Sequence, residues 1–154
     1  MSRFKHIIEQ DPQQVQQQNL PPGWPKVFPK SIVGLDRDGV INVDKGHYLT
    51  DPDDWEPIPG SLEAIRMIRL KGYKVVILTN QGGIIKKEQT HAQVDAIHQR
   101  MMEVFGNAGI YSIDGLFYAE SSLKEDIFAK PNLGMFHRTE KEIFNNKIRE
   151  PYMA

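Results

Sequence analysis

The chain has 154 residues, of which 40% are apolar and 25% charged, values typical of a globular protein. This length suits one compact domain and leaves little room for a second. A net charge of −1 argues against bulk attraction to nucleic acid or anionic lipid, and the absence of cysteine excludes disulfides and thiolate zinc sites. Since no stretch resembles a signal peptide or a membrane span, we expect a cytoplasmic protein.

The first 30 residues differ in composition from the rest of the chain. A glutamine-rich segment, QDPQQVQQQN, is followed by PPGWP and KVFPK. Residues 1–19 either form a short helix through Phe4, Ile7 and Ile8 or remain a solvated tail. Residues 20–30 are expected to be an extended connector, because proline limits helix formation and removes backbone donors. We therefore divide the chain into a Gln/Pro-rich leader, 1–30, and a domain, 31–154.

From Ser31 onward, strand and helix patterns alternate. The apolar run 32–35 is typical of a buried central strand, and it ends in charged residues. The alternation predicts right-handed crossovers and a parallel sheet, hence an α/β three-layer sandwich. The predicted strands are 32–35, 73–79 and 113–120, and the predicted helices are 60–71, 90–106 and 132–146.

The helix patterns also predict ends and buried faces. Ser61 is the expected N-cap of the first helix, and Gly72 its stop. Apolar residues at helical spacing are expected to face the core. In the first helix these are Leu62, Ile65, Met67 and Ile68, in the second Val94, Ile97, Met101, Val104 and Phe105, and in the third Leu133, Phe136, Ile143 and Phe144.

Three polar clusters follow the predicted strands. They are DRDG after the first strand, TNQGG after the second, and the segment leading to AKP after the third. In parallel sheets, ligands bind beyond the carboxyl ends of the strands. We therefore expect the three clusters to border one cleft.

The first cluster carries two carboxylates, Asp36 and Asp38, two residues apart. The first can act as a nucleophile while the second reaches around as a proton donor. A carboxylate nucleophile with a bound cation suits phosphoryl transfer, which needs mainly positioning and charge stabilisation. Gly39 permits the tight turn that such an arrangement requires.

Three ordered motifs resemble those of haloacid dehalogenase (HAD) superfamily phosphatases. They are LDRDGVIN at 35–42, LTNQGGI at 78–84 and AKPNLGM at 129–135. In order and spacing they are similar to the branch of histidinol-phosphatases and heptose-1,7-bisphosphate 7-phosphatases, over about residues 31–146. The resemblance implies a Rossmann-like sheet. A minimal cap is expected because the loop after Asp36 and the stretch between the second and third strands are both short.

The resemblance also implies roles for individual residues. Asp36 would attack phosphorus, and Asp38 would protonate the leaving alkoxide and then deprotonate water. Thr79 and Lys130 would contact the phosphoryl group, and Mg²⁺ would lie between the Asp36 carboxylate, the Asp38 backbone carbonyl and the phosphate. The expected substrate-binding residues are Arg37, Asp44, Lys45, Gly46, His47, Asn80, Gln81 and Gly82.

The chain departs from this branch in three places. The segment YAESSLKEDIFAKP has no cysteine where the branch usually carries a zinc loop, so no zinc is expected. Ala129 stands where the branch tends to have arginine. The Gly-Asp motif that completes the magnesium site is missing before Ala154, although Glu120 could approach the cation. We therefore expect weakened Mg²⁺ binding, a C-terminally incomplete domain, and a monomer unless an open sheet edge drives association.

Three functions remain open at this point. The first is a phosphatase acting on a small molecule such as a sugar phosphate or histidinol phosphate. The second is a polynucleotide 3′-phosphatase, suggested by the stretch from Asp53 to Ile84 and by KPNLGM, although no basic stripe with interleaved aromatics is evident. The third is a non-catalytic domain that binds phosphate or a partner chain.

Overall fold

The structure, a computed structural model, describes residues 32–143. The predicted leader, 1–30, and the predicted last helix beyond Ile143 lie outside this range. No helix between residues 32 and 143 has both the length and the apolar character that a membrane crossing requires. The strands are β1 (Ile32–Leu35), β2 (Lys74–Asn80) and β3 (Gly115–Ala119), and the α-helices are α1 (Ser61–Leu70), α2 (His91–Asn107) and α3 (Gly134–Ile143).

The three strands form a parallel sheet in the order β1-β2-β3. Val33 pairs with Val75 in the register of β1 and β2, and Thr79 pairs with Tyr118 in that of β2 and β3. The parallel sheet is confirmed, but the prediction that β1 is a buried central strand is wrong for the described residues. β1 pairs only with β2 there, and Val33 to Leu35 are only partly buried. β2, which has a neighbour on both sides, is the central strand.

Successive residues of β2 point into two different hydrophobic cores. Val75 and Ile77 pack in a core with Ile65 of α1 and Ile97 of α2. Val76 and Leu78 pack in a second core, which includes Met135 of α3. Because side chains alternate across a strand, this arrangement places helices on both faces of the sheet. The predicted three-layer α/β sandwich is confirmed.

The segment between β1 and α1 packs into the first core. Ile41, Leu49 and Trp55 are all buried, and the Trp55 ring meets the Phe105 ring edge-on with centroids 6.5 Å apart. One short 3-10 helix, Pro52–Asp54, lies within this segment. Within residues 36–60 the chain therefore covers the sheet and builds no separate cap over its end.

Several local predictions need correction. Gly60, with φ of +88°, is the N-cap of α1, and the Ser61 hydroxyl instead donates to the Ile41 carbonyl at 2.8 Å. Met67 and Leu133 are 51% and 55% exposed, so neither faces the core. The apolar stripe of α1 is narrower than its composition suggests, and Leu133 precedes the first residue of α3.

Candidate active site

The ends of β1 and β2 and the segment before α3 border one open cavity of about 460 Å³. The predicted convergence of the three polar clusters is therefore present in the structure. The lining carries three carboxylates, one ammonium group, one hydroxyl and one amide. The lining residues are Asp36, Asp38, Asp44, Thr79, Asn80, Lys130 and Pro131.

Asp36 follows directly after β1, and its side chain is 45% exposed. The Lys130 ammonium lies 3.0 Å from its Oδ1, and the backbone N–H of Arg37 donates to the same oxygen at 2.8 Å. Within residues 32–143, Oδ2 of Asp36 accepts no hydrogen bond. One oxygen of this carboxylate is therefore anchored, and the other remains available to a ligand in the cavity.

Asp38 is held by a tight turn and by three side chains. Gly39 has φ of +80°, a conformation that favours glycine, and its N–H donates to the Asn42 carbonyl at 2.8 Å. Arg37 and Asn42 both donate to Oδ1 of Asp38, whereas Gln81 donates to Oδ2. The second carboxylate is thus fixed by its neighbours, while the first is anchored mainly by Lys130.

Thr79 lies at the end of β2 and borders the cavity although it is almost fully buried. Its Oγ1 accepts a hydrogen bond of 2.9 Å from Nε2 of Gln81. A hydroxyl that accepts a hydrogen bond keeps its own O–H for donation, and no contact among residues 32–143 uses the O–H of Thr79. This arrangement suits contact with an anionic oxygen in the cavity.

Lys130 reaches the cavity from a loop that is shaped by hydrogen bonds. Asp126 accepts from the Ser121 hydroxyl at 2.7 Å and from the Phe128 backbone N–H at 2.9 Å. The Asn132 amide donates to the carbonyls of Lys124 and Asp126, each at 2.8 Å. These hydrogen bonds hold the loop within the segment YAESSLKEDIFAKP, for which no zinc is expected from the sequence.

Six predicted substrate residues do not border the cavity, and their roles stay predictions; four of them are Lys45, Gly46, His47 and Gly82. Lys45 pairs with Glu56 at 3.4 Å, and the His47 ring contacts the Tyr48 carbonyl. Gly46 donates to Asp44 within an exposed turn. A Cβ at Gly82 would lie 2.9 Å from Oγ of Ser122, so close packing already requires glycine at that position.

The other two, Arg37 and Gln81, lie behind the cavity. Arg37 has no exposed surface and Gln81 is 1% exposed, and neither borders the cavity. The Arg37 guanidinium instead contacts Asp38, Gln81 and His98. Both side chains therefore support Asp38 from the protein interior, and their predicted contact with a substrate stays a prediction.

Sequence reasoning missed Asn42, Gln89 and His98. Gln89 is buried and donates to Oε1 of Gln81 at 3.1 Å, so it steadies the amide that contacts Asp38. His98 lies four residues after Val94, on the apolar face of α2. A histidine at helical spacing among buried apolar residues indicates a polar partner in the protein interior. The spacing of His98 from Val94 could therefore have revealed its role.

The cavity offers oxygen donors of the kind that Mg²⁺ prefers. Mg²⁺ commonly uses one or two carboxylates together with waters and substrate phosphate, and Asp36 and Asp38 supply two carboxylates. Across residues 32–143, no three acidic or histidine side chains are grouped to hold a metal. The side chain of Glu120, considered as a further ligand, lies against His91 at 3.1 Å and outside the cavity. The residues present fit a sparsely ligated Mg²⁺.

A family model described as "Polynucleotide kinase 3 phosphatase" matches residues 31–152. The chain belongs to this family. The match covers the strands, the helices and every residue of the cavity. The resemblance to HAD phosphatases is therefore confirmed.

The chain is also similar to curated proteins named as heptose-bisphosphate phosphatases. The chain is 41% identical over 80 residues to a D-glycero-beta-D-manno-heptose-1,7-bisphosphate 7-phosphatase from Pseudomonas aeruginosa, which covers 52% of this chain and 45% of the relative. It is 36% identical over 115 residues to the enzyme of that name from Vibrio cholerae, covering 70% and 61%. The chain thus spans about half the length of the curated relatives it matches.

A solved structure agrees with the fold and with the chemistry of the cavity. The D,D-heptose 1,7-bisphosphate phosphatase from B. bronchiseptica, complexed with magnesium and phosphate, superposes with a TM-score of 0.69 at 28% identity. The superposition covers 79% of this chain and 67% of that one. That relative, which shares the fold of this chain, is complexed with magnesium and phosphate together.

Proposed function

We propose that this chain is a Mg²⁺-dependent phosphomonoester hydrolase that works through an aspartyl-phosphate intermediate. The observation that carries the proposal is the 3.0 Å contact between Lys130 and Asp36 on a cavity that Asp38 and Thr79 also border. A carboxylate with one oxygen anchored and one available can attack phosphorus. A neighbouring ammonium can stabilise the charge that develops on the phosphoryl oxygens.

In the first step, an oxygen of Asp36 forms a bond to phosphorus while the bond from phosphorus to the ester oxygen breaks. Lys130 stabilises the equatorial oxygens, and the Thr79 hydroxyl donates to one of them. Both groups are positioned before the reaction, so little reorganisation is required.

Asp38 moves the proton in both steps. It first donates a proton to the ester oxygen, so that the product leaves as an alcohol. It then accepts a proton from the water that attacks phosphorus, which releases phosphate and restores Asp36. Asp38 borders the same cavity as Asp36, as both steps require.

Asp36, through its carboxylate, and Asp38, through its backbone carbonyl, would hold the Mg²⁺ ion, with waters and substrate phosphate completing its ligands. The bound ion supplies positive charge that offsets the repulsion between the phosphate and the carboxylates. Three carboxylates border the cavity against the single ammonium of Lys130 among its lining residues. A cation is therefore needed before a phosphate dianion can approach Asp36.

We propose a sugar phosphate as the substrate class. Carboxylates accept hydrogen bonds from sugar hydroxyls, and Asp44 borders the cavity without contacting Asp36 or Lys130 in the described contacts. The names of the curated relatives support this choice. The absence of aromatic residues from the described lining argues against stacked bases in the cavity.

A polynucleotide 3′-phosphatase is the second candidate, favoured by the description of the matching family. Such a substrate would bring further phosphates to a cavity lined mainly by acids. Strand-binding proteins generally meet those phosphates with a basic groove. We therefore rank this activity below hydrolysis of a sugar phosphate.

A substrate panel assayed with and without Mg²⁺ tests these proposals. It contains heptose 1,7-bisphosphate, histidinol phosphate, p-nitrophenyl phosphate and a 3′-phosphorylated oligonucleotide. Mg²⁺-dependent release of phosphate with a preference for heptose bisphosphate supports the proposal, and preference for the oligonucleotide supports the second candidate. No release from any of them with Mg²⁺ present would contradict both and favour a phosphate- or partner-binding domain.

We also propose that the chain works in the cytoplasm as a monomer. Within the described residues the outer edge of β1 carries no paired strand, so self-association through this edge is the competing state. Sedimentation velocity across a range of concentrations distinguishes the two, because a monomer keeps one sedimentation coefficient on dilution and an edge-paired dimer does not.

A further inference from the structure

Arg37 lies between the two acids of the cavity in sequence, yet its side chain is fully buried. Nε and NH2 both donate to Oδ1 of Asp38, at 3.0 and 2.8 Å. NH2 also lies 3.3 Å from Oε1 of Gln81. A buried guanidinium needs such partners, because an unpaired buried charge is strongly destabilising. The Arg37 side chain therefore contacts Oδ1 of Asp38 from the protein interior, while Asp38 still borders the cavity.

The two oxygens of Asp38 differ in their contacts. Oδ1 accepts from Arg37 twice and from Nδ2 of Asn42 at 3.0 Å. Oδ2 has only the longer 3.3 Å contact with Nε2 of Gln81. Because Oδ1 already meets three N–H groups, Oδ2 is the oxygen that can exchange a proton with a ligand. Rotation of the carboxylate would break the two hydrogen bonds that Arg37 donates to Oδ1.

The far side of Arg37 rests on His98 of α2. NH1 lies 3.1 Å from Nε2 of His98, which is itself buried. Since a guanidinium only donates, Nε2 must accept and the ring proton must be on Nδ1. Burial, together with the nearby Arg37 charge, lowers the pKa of His98 to about 3, so the ring is neutral near neutral pH. His98 is thus a fixed acceptor behind the guanidinium.

We propose that His98 and Arg37 are positioning residues that hold Asp38 with Oδ2 toward the leaving group. This inference rests on the proposed phosphatase function. In the first step the proton leaves Oδ2 for the ester oxygen as the bond from phosphorus to that oxygen breaks, and the O–H electron pair remains on the carboxylate. In the second step Oδ2 takes a proton from water as the water oxygen binds phosphorus.

The test compares an alkyl phosphate with p-nitrophenyl phosphate by kcat/KM, which reports steps up to the first release of product. A nitrophenolate departs without a proton, whereas an alkoxide requires one. His98→Leu removes the acceptor behind Arg37 and should lower the ratio of alkyl to aryl kcat/KM by about 10-fold or more, because a positioned acid contributes ~10²–10⁴-fold. His98→Gln returns an acceptor and should restore most of the ratio.

Two further variants keep the test decisive. His91→Leu, on the same helix, removes contacts to Tyr118 and Glu120 and should leave the ratio unchanged. Arg37→Lys keeps a cation beside Asp38 but loses the paired hydrogen bonds of the guanidinium, so it should lower the ratio of alkyl to aryl kcat/KM. This variant tests the positioning role even if His98→Leu fails to fold. Equal losses on both substrates in Arg37→Lys, or in a folded His98→Leu, would overturn the positioning role.

The outcome also separates this inference from the function on which it rests. A wild-type protein that hydrolyses both esters, with variants that keep its ratio, refutes the positioning role alone. A wild-type protein that hydrolyses neither ester with Mg²⁺ present refutes the phosphatase function, and the positioning role is refuted with it.

Discussion

The side-chain amide of Asn80 bonds both backbone polar atoms of Lys130. Nδ2 donates to the Lys130 carbonyl at 3.0 Å, and Oδ1 accepts from the Lys130 N–H at 2.9 Å. This pair of bonds joins the end of β2 to the loop before α3. The ammonium of the same lysine lies 3.0 Å from Asp36. Asn80 therefore fixes the backbone from which the cation of the cavity projects.

We expect Asn80→Ala to lower kcat by ~10–100-fold, because displacing a catalytic group by about 1 Å can cost that much. The rate of phosphate release at saturating substrate measures kcat for this variant and for the wild type. Asn132→Ala is the matched control, since Asn132 donates to two carbonyls of the same loop and not to Lys130. If both variants lose activity equally, the loop as a whole is required and the Asn80 bonds have no special role.

Lys130→Met should lower kcat by ~10²–10³-fold, the loss typical of removing one preorganised charge-stabilising donor. The substitution keeps the length of the side chain and removes its charge. Lys45→Met removes a cation that pairs with Glu56 outside the cavity and should change kcat little. Near-normal turnover by Lys130→Met would show that this ammonium does not stabilise the transition state.

The positions of the strands and of the cavity could be predicted because their signals are local. Apolar runs end in polar clusters, and parallel strands bring their carboxyl ends together. Asp36, Asp38, Thr79 and Lys130 could thus be named from sequence. The edge position that β1 holds among residues 32–143 could not be predicted, because an apolar run does not specify how many neighbouring strands it has.

The burial of Arg37 was beyond local sequence signals. An arginine between two acids in a turn is usually solvated, and here its burial depends on His98, which the packing of α2 brings behind β1. Ser61 was misassigned for a similar reason. Its hydroxyl bonds the carbonyl of Ile41, a partner twenty residues away in the chain.

Asp114 is a stability determinant outside the cavity. Its buried carboxylate lies 2.6 Å from NH1 of Arg69 and accepts from the backbone N–H of Val75 at 2.7 Å. Asp114→Asn should lower the free energy of unfolding by about 3 kcal/mol, since it removes the charge that neutralises a partly buried cation. Chemical denaturation measures this loss.

The control for Asp114 is an exposed ion pair on α3. Glu142→Gln breaks the contact between Arg138 and Glu142 and should change the free energy of unfolding by less than about 0.5 kcal/mol. A comparable loss in both variants would show that the burial of Asp114 does not matter. The folded fraction of Asp114→Asn should keep its activity, because Asp114 is not among the residues that line the cavity.

His98 should make stability depend on pH. Its pKa is lowered from 6.5 to about 3 by burial and by the Arg37 charge. Between these values the unfolded state binds a proton that the folded state does not, so this contribution is complete above pH 6.5 and is lost as the pH falls toward 3. His98→Gln should flatten this part of the curve. An unchanged difference in unfolding free energy between the two proteins from pH 7 to pH 4 would contradict it.

The account depends most directly on Asp36 becoming phosphorylated. The decisive measurement is acid quenching during turnover of p-nitrophenyl phosphate with Mg²⁺, followed by peptide mass spectrometry. It is made in the wild type and in Asp38→Asn, which should slow hydrolysis of the intermediate, whereas the nitrophenolate still departs without a proton. We expect a phosphoryl group on Asp36 in both proteins, at higher occupancy in Asp38→Asn, and no turnover by Asp36→Asn. Turnover by Asp36→Asn at the wild-type rate, with no phosphoryl group on any Asp36 peptide, would contradict the account.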